Sequence, residues 1–277
     1  MILTYHKIGS QLELGITTVS RRRFAAHLDL YTELGLEPIL ASDVARRFAG
    51  SCSERSIPGD VAEQVHGAVS HGFTEGGALS ITFDDGYESV FTEAFPEVAA
   101  RDWTGTVFVV VGSVGGSNSW DVRLSPRRFK HLSWDQIRVL SEAGFEIGSH
   151  TLSHRDLTRL EGDLLRQELR DSKRAIEDHI GKPVTSVSYP FGRYSPRVID
   201  EAIAAGYDCG FTSSPRGPAG SSDKDSNRMA MGRLSVYSID GRSSLERKLR
   251  LRPGYRLECI KNTVIAKLSL GTTLVKR

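Results

Sequence analysis

Cysteine is scarce in this chain of 277 residues: Cys52, Cys209 and Cys259 lie far apart with no C-x-x-C spacing. They read as free thiols rather than as a disulfide framework or a zinc knuckle. No stretch is apolar enough to span a bilayer, and no basic leader with an apolar run opens the sequence. As written, the chain is expected to be cytoplasmic, with a secreted or envelope-associated location if its start is truncated. Repeats of fixed period are absent. So is a large excess of one charge: net +2, with 39% hydrophobic and 25% charged residues, describes an ordinary globular protein and points to no nucleic-acid partner. The balance hides an asymmetry. Residues 242–277 carry ten Lys/Arg against Glu246 and Glu258, net +8, which leaves the first 241 residues at −6.

What is present alternates. Residues 2–6 read as a short strand ending in a histidine, and further strand candidates lie at 36–40, 79–83, 105–112, 145–150, 184–189 and 207–212. Helical patterns fall between them, at 21–34, 42–49, 91–101, 133–142, 161–180 and 196–205. Such alternation predicts βα units and a mostly parallel sheet. Two stretches, 50–77 and 113–132, show little periodicity; the second carries Trp120, Asp121, Arg123 and His131, and long loops of this kind often line a site.

The chain is organised around the strand that runs into Asp84, Asp85 and Gly86. Leu79, Ile81 and Phe83 alternate with Ser80 and Thr82, the period of a strand. In α/β sheets and barrels chemistry is placed at C-terminal strand ends, and a glycine there allows a sharp turn. Adjacent carboxylates call for a metal ion or a basic side chain nearby, unless they are the solvated acids of a plain turn. Further along, His150 and His154 follow another predicted strand, four residues apart. On a helical turn that spacing puts both imidazoles on one face, within reach of one divalent ion. A carboxylate from another strand end would complete a set of two histidines and one acid, with positions left open for water.

Thr82-Phe83-Asp84-Asp85-Gly86, taken with His150-Thr151-Leu152-Ser153-His154, resembles the polysaccharide deacetylase family, the NodB-homology or carbohydrate esterase family 4 domain. The resemblance implies a distorted (β/α) barrel of seven or eight strands over residues 1–241, with 242–277 as a basic amphipathic extension. It also implies zinc, or a substitute divalent ion, held by Asp85, His150 and His154, with Asp84 as catalytic base. The reaction implied is metal-dependent removal of N-acetyl or O-acetyl groups from a polysaccharide or glycan precursor. A backbone N–H beside Pro190-Phe191-Gly192 could serve the oxyanion. Tyr189, Pro190, Phe191, Gly192 and Trp120 are the candidate substrate contacts, and Trp120 fits packing equally well.

The sequence departs from the family in two places. Where the family has an arginine two residues before the proline to hold the base, this chain has Ser188; Arg193 is the nearest substitute, unless it only caps the turn. The late histidine that protonates the leaving amine belongs near Arg233-Leu234-Ser235-Val236-Tyr237, but no histidine follows His179. The opening Leu3-Thr4-Tyr5-His6 is similar to the branch that deacetylates poly-N-acetylglucosamine, which implies His6 as the acid, delivered by a first strand lying next to the last. A non-catalytic carbohydrate-binding barrel and a metal hydrolase of small amides stand as alternatives. The basic tail, with apolar residues interleaved, could meet an acidic membrane surface or an anionic glycan, or pack on the barrel as an ordinary helix.

Overall fold

A computed structural model describes residues 1–9, 16–51, 79–117, 128–215 and 228–273. Its parallel strands are β1 (Ile2–Tyr5), β2 (Lys7–Ile8), β3 (Thr18–Val19), β4 (Ser80–Phe83), β5 (Thr106–Val109), β6 (Glu146–Ser149), β7 (Ser186–Ser188), β8 (Cys209–Thr212), β9 (Met231–Gly232) and β10 (Leu234–Ser235). Eight of them form one sheet in the order β10-β1-β4-β5-β6-β7-β8-β9, and β2 pairs with β3. The two edge strands are separated in sequence by Arg233 alone, so the chain itself nearly closes the ring. This is the distorted (β/α) barrel that the motifs imply.

Both faces of the main strands are buried, so the alternation sorts residues between a helix-facing core and the barrel interior, not between core and solvent. Leu3, Tyr5, Ile81, Phe83, Val107, Val109, Ile147 and Val187 belong to the large apolar core. Their neighbours Thr4, Ser80, Thr82, Thr106, Ser186 and Ser188 point the other way and are fully buried, which makes much of the interior polar. Helix Ala41–Ser51 closes one mouth: Ala41 and Val44 pack with Ile2, Phe108 and Phe211. Its first N–H groups, from Ala41 and Ser42, donate to Thr106 Oγ1 at 3.0 Å and Glu146 Oε2 at 3.1 Å, at the N-terminal ends of β5 and β6. The opposite mouth, at the strand C-termini, is left for chemistry.

Local signals placed the helices. Ser20 caps Arg21–Glu33, a capping box of Ser133 and Gln136 starts Trp134–Glu142, and Gly181 at φ 66° ends Gly162–Ile180. The candidate strand at 36–40 is instead a single bridge, Pro38 to Leu79, because proline has no N–H with which to extend a ladder. Around Pro96 the helix opens as a π turn, Val90–Ala94, before continuing as Phe95–Ala99.

Behind β1, Tyr5 Oη lies 3.1 Å from His27 Nδ1, and His27 Nε2 lies 3.0 Å from the Asp240 carbonyl oxygen. Burial drives the His27 pKa down from 6.5 to about 4, against the opposing pull of Asp240. Below its ordinary value the unfolded chain takes up a proton that the folded one refuses, so this contribution to stability is full above 6.5 and fades toward 4. A loss on the order of 3 kcal/mol over that interval is expected. Urea titrations at a series of pH values check it: His27→Gln should flatten the acid limb, and an unchanged limb would reject the assignment.

Candidate active site and metal centre

The site forms where β4, β6 and β7 end. After Phe83, the Asp84 N–H donates to the Tyr5 carbonyl at 3.0 Å, and Asp85 turns into the left-handed region at φ 70°. His131 Nδ1 holds the Asp85 carbonyl oxygen at 2.9 Å. Past β6, His150 Nδ1 donates to the Ser188 carbonyl at 2.7 Å, so its Nε2 faces Asp85 Oδ1 at 3.5 Å, and His154 Nε2 approaches the same oxygen at 3.4 Å. Asp85, His150 and His154 are buried and bring one ligand atom each within 4.8 Å of the others.

The predicted pair therefore meets, though not on a helical turn. Thr151 at φ 68° and His154 at φ 57° are left-handed, and no helix begins until Leu157. Glu168, from helix Gly162–Ile180, fixes this loop by accepting the N–H groups of Leu152 at 3.0 Å and Ser153 at 2.9 Å, as well as the Ser153 hydroxyl. Phe191 is left-handed too, at φ 60°, and its ring sits 4.7 Å from that of His154. Several non-glycine residues in this conformation at one place mark strain held by the surrounding structure, as functional sites commonly show. At Gly192 (φ 64°) a Cβ would stand 2.5 Å from the Ser213 nitrogen, so only glycine fits there.

Asp84 is held by an arginine that motif reasoning did not find. Arg233, 1% exposed, forks onto both carboxylate oxygens at 2.8 and 2.7 Å and also donates to Ser188 Oγ at 2.7 Å and Thr82 Oγ1 at 3.1 Å. Its guanidinium lies over the rings of Phe108 and Phe211 at 5.2 and 5.9 Å. Burial alone would raise the Asp84 pKa, but the Arg233 charge, then His150, outweighs it and holds the carboxyl below its usual range. Asp85 likewise resists burial and stays ionised through its histidine partners. Burial wins at His154, whose pKa falls to about 3, leaving a neutral ring with a lone pair. At His150 burial is overcome by Asp84 and Asp85, which raise its pKa. Two carboxylates against one arginine leave a negative charge to balance, and a divalent cation could replace the His150 proton in doing so. The donor set of one carboxylate and two Nε2 atoms, one ring oriented by a backbone carbonyl, suits zinc or a similar ion.

Other expectations are redistributed. Arg193 does not reach Asp84; it is 41% exposed at the side chain and pairs with Asp156 at 2.8 Å, because the space beside Ser188 is filled by Arg233. Tyr189 is fully buried in the helix-facing core, its ring 5.9 Å from that of Tyr194, since strand alternation turns it away from the mouth. Pro190 is buried, whereas Phe191 and Gly192 are partly exposed at the rim. His6, at the end of β1, is near enough to Asp84 and Asp85 to stabilise both as anions, and its Nδ1 is buried without a hydrogen-bond partner. Trp120 lies outside the described residues. The polar alternates Thr82 and Ser188, which need a partner in a buried interior, were the available hint of Arg233.

Sequence comparison decides the family. Residues 71–210 match the model of the polysaccharide deacetylase family. The chain belongs to that family. Polysaccharide deacetylases are hydrolases, and this chain is such an enzyme. It is 25% identical over 235 residues to YxkH of Bacillus subtilis, classed by its name with the polysaccharide deacetylases, covering 85% of this chain and 70% of YxkH. Over 166 residues it is 26% identical to the peptidoglycan-N-acetylmuramic acid deacetylase PdaA of the same organism, covering 56% of each. In fold it is similar to the Streptococcus pyogenes deacetylase PplD in complex with acetate (TM-score 0.68, 19% identity, 90% of this chain and 96% of PplD). It is also similar to IcaB from Ammonifex degensii (TM-score 0.63, 23% identity, 85% and 90%). The same architecture thus surrounds this family member's acids and histidines.

Proposed function

We propose that this deacetylase hydrolyses an N-acetyl group on a glycan, using a divalent cation held by Asp85, His150 and His154, with zinc the best match to the donors. The observation that carries the reading is the division of labour between neighbouring acids: Asp85 faces both imidazoles, while Asp84 faces Arg233. A bound ion would polarise the acyl carbonyl and make a water molecule more acidic. Asp84, kept ionised by Arg233, takes the proton from the attacking water. His6, on the neighbouring strand, gives a proton to the departing nitrogen. The oxyanion finds its donor at the Phe191 turn. Proline has no N–H, and the amides of Gly192 and Arg193 donate to Tyr189 and Pro190, which leaves that of Phe191. A non-catalytic reading drew on the missing motif arginine and late histidine; Arg233 supplies that charge from elsewhere, and His6 lies near both acids.

The test is acetate release from acetylated chito-oligosaccharides, before and after a chelator and after zinc is restored. Activity should vanish and return; activity indifferent to the chelator would reject the metal. His154→Ala should also lower bound metal, measured by atomic absorption, and unchanged metal content would reject the ligand set.

A further inference from the structure

Over residues 255–266, helix Tyr255–Thr273 buries polar groups and leaves an apolar stripe outside. Its most buried members are polar, Glu258 at 3% and Asn262 at 1% exposed, with Tyr255 and Cys259 packed on the core beside them. Asn262 Oδ1 accepts the Ser235 N–H at 2.8 Å, and Glu258 pairs with Arg247 at 2.8 Å. Lys261 reaches over the edge to Asp240 at 2.5 Å. On the opposite side Leu257, Ile260 and Val264 recur at the spacing of one helical stripe and are 67%, 60% and 50% exposed. Leu251, in the bend before the helix, is also 38% exposed. A soluble helix normally hides such a stripe, so its exposure marks a contact surface.

The charge around it selects the partner. Arg256 is exposed on the same helix, and Arg252, exposed just before it, pairs with Glu246; the seven described cations from Arg242 to Lys261 outnumber the four acids they pair with, Glu33, Asp240, Glu246 and Glu258. A second copy of the chain would bring the same positive face toward it, whereas an anionic surface is attracted. Among the described residues no helix is long and apolar enough to cross a membrane. A helix with apolar side chains outward and cations beside them is suited to lie in the plane of a lipid interface. We infer that the Leu257, Ile260 and Val264 face of this helix docks the enzyme on an anionic lipid surface. Thr263 and Ala266 of the same helix line, with Phe191 and Gly192, a cavity of about 120 Å³, so docking brings the rim of the catalytic mouth close to the lipid. The inference is independent of the metal and of the acyl group removed.

Co-sedimentation of the full chain with vesicles tests it. The protein should pellet with mixed phosphatidylglycerol and phosphatidylcholine vesicles at low salt, stay in solution with phosphatidylcholine alone, and be released by high salt. Ile260→Glu should weaken vesicle binding roughly tenfold or more by putting a charge into the lipid-facing stripe, and Arg256→Glu should weaken it less. Both positions are solvent-exposed, so the thermal midpoint and acetate release from a soluble oligosaccharide should stay unchanged. The inference is overturned if the chain fails to pellet with phosphatidylglycerol, or if neither substitution alters binding. It is equally overturned if light scattering shows a dimer that Ile260→Glu converts to monomer, because the stripe is then a contact between copies.

Discussion

Arg233→Met is expected to destabilise the protein by about 3–5 kcal/mol, because it leaves the Asp84 carboxylate buried with its principal cation removed. The methionine keeps much of the apolar stem but supplies none of the four donor contacts that now reach Asp84, Ser188 and Thr82. Without the guanidinium, burial governs Asp84 and moves its pKa upward, so the acid limb of the rate profile should shift to higher pH. The sign is fixed by the present arrangement: a carboxyl held below its ordinary value stabilises the fold above that value and loses the effect as pH falls. Adding Asp84→Asn to Arg233→Met removes the stranded charge and should restore a large part of the lost stability. Urea denaturation of the two single variants and the double variant measures this coupling, and additive effects would contradict it. Arg233→Lys should fall between, since an ammonium keeps the charge but cannot fork across two oxygens.

Asp84→Asn should lower turnover by roughly 10²–10⁴ while leaving bound metal unchanged, the magnitude typical of a lost general base. Asparagine has nearly the same shape and can still accept a hydrogen bond from Arg233, so the fold survives with one buried cation imperfectly matched. The pairing of readouts matters. Loss of both rate and metal would move Asp84 into the ligand set, and full turnover with metal present would remove it from the chemistry. Asp85→Asn serves as the contrast, because its Oδ1 is the atom that faces both imidazoles, and there metal and rate should fall together.

The two motifs were legible because their chemistry is local in sequence. A strand that ends in Asp84 and Asp85, and another followed by His150 and His154, put the donors at one end of a parallel sheet before any contact is known. Their meeting point followed from strand order. The manner of meeting did not: the histidine loop is non-helical, shaped by Glu168 from a helix that starts eight residues past His154. Arg193 was the natural substitute on proximity in sequence, and it points to Asp156 instead.

Sequence alone determined the alternating βα architecture, the family, the helix caps and the identities of the candidate metal ligands, because periodicity and short-range spacing carry that information. Tertiary structure alone decided which arginine holds Asp84, which side of β7 faces the mouth, and that the last long helix leaves Leu257, Ile260 and Val264 outward. Each of these depends on barrel closure, which sets β9 and β10 around a single residue and brings Arg233 to Asp84 across 149 positions of chain, a distance over which no local pattern constrains a side chain.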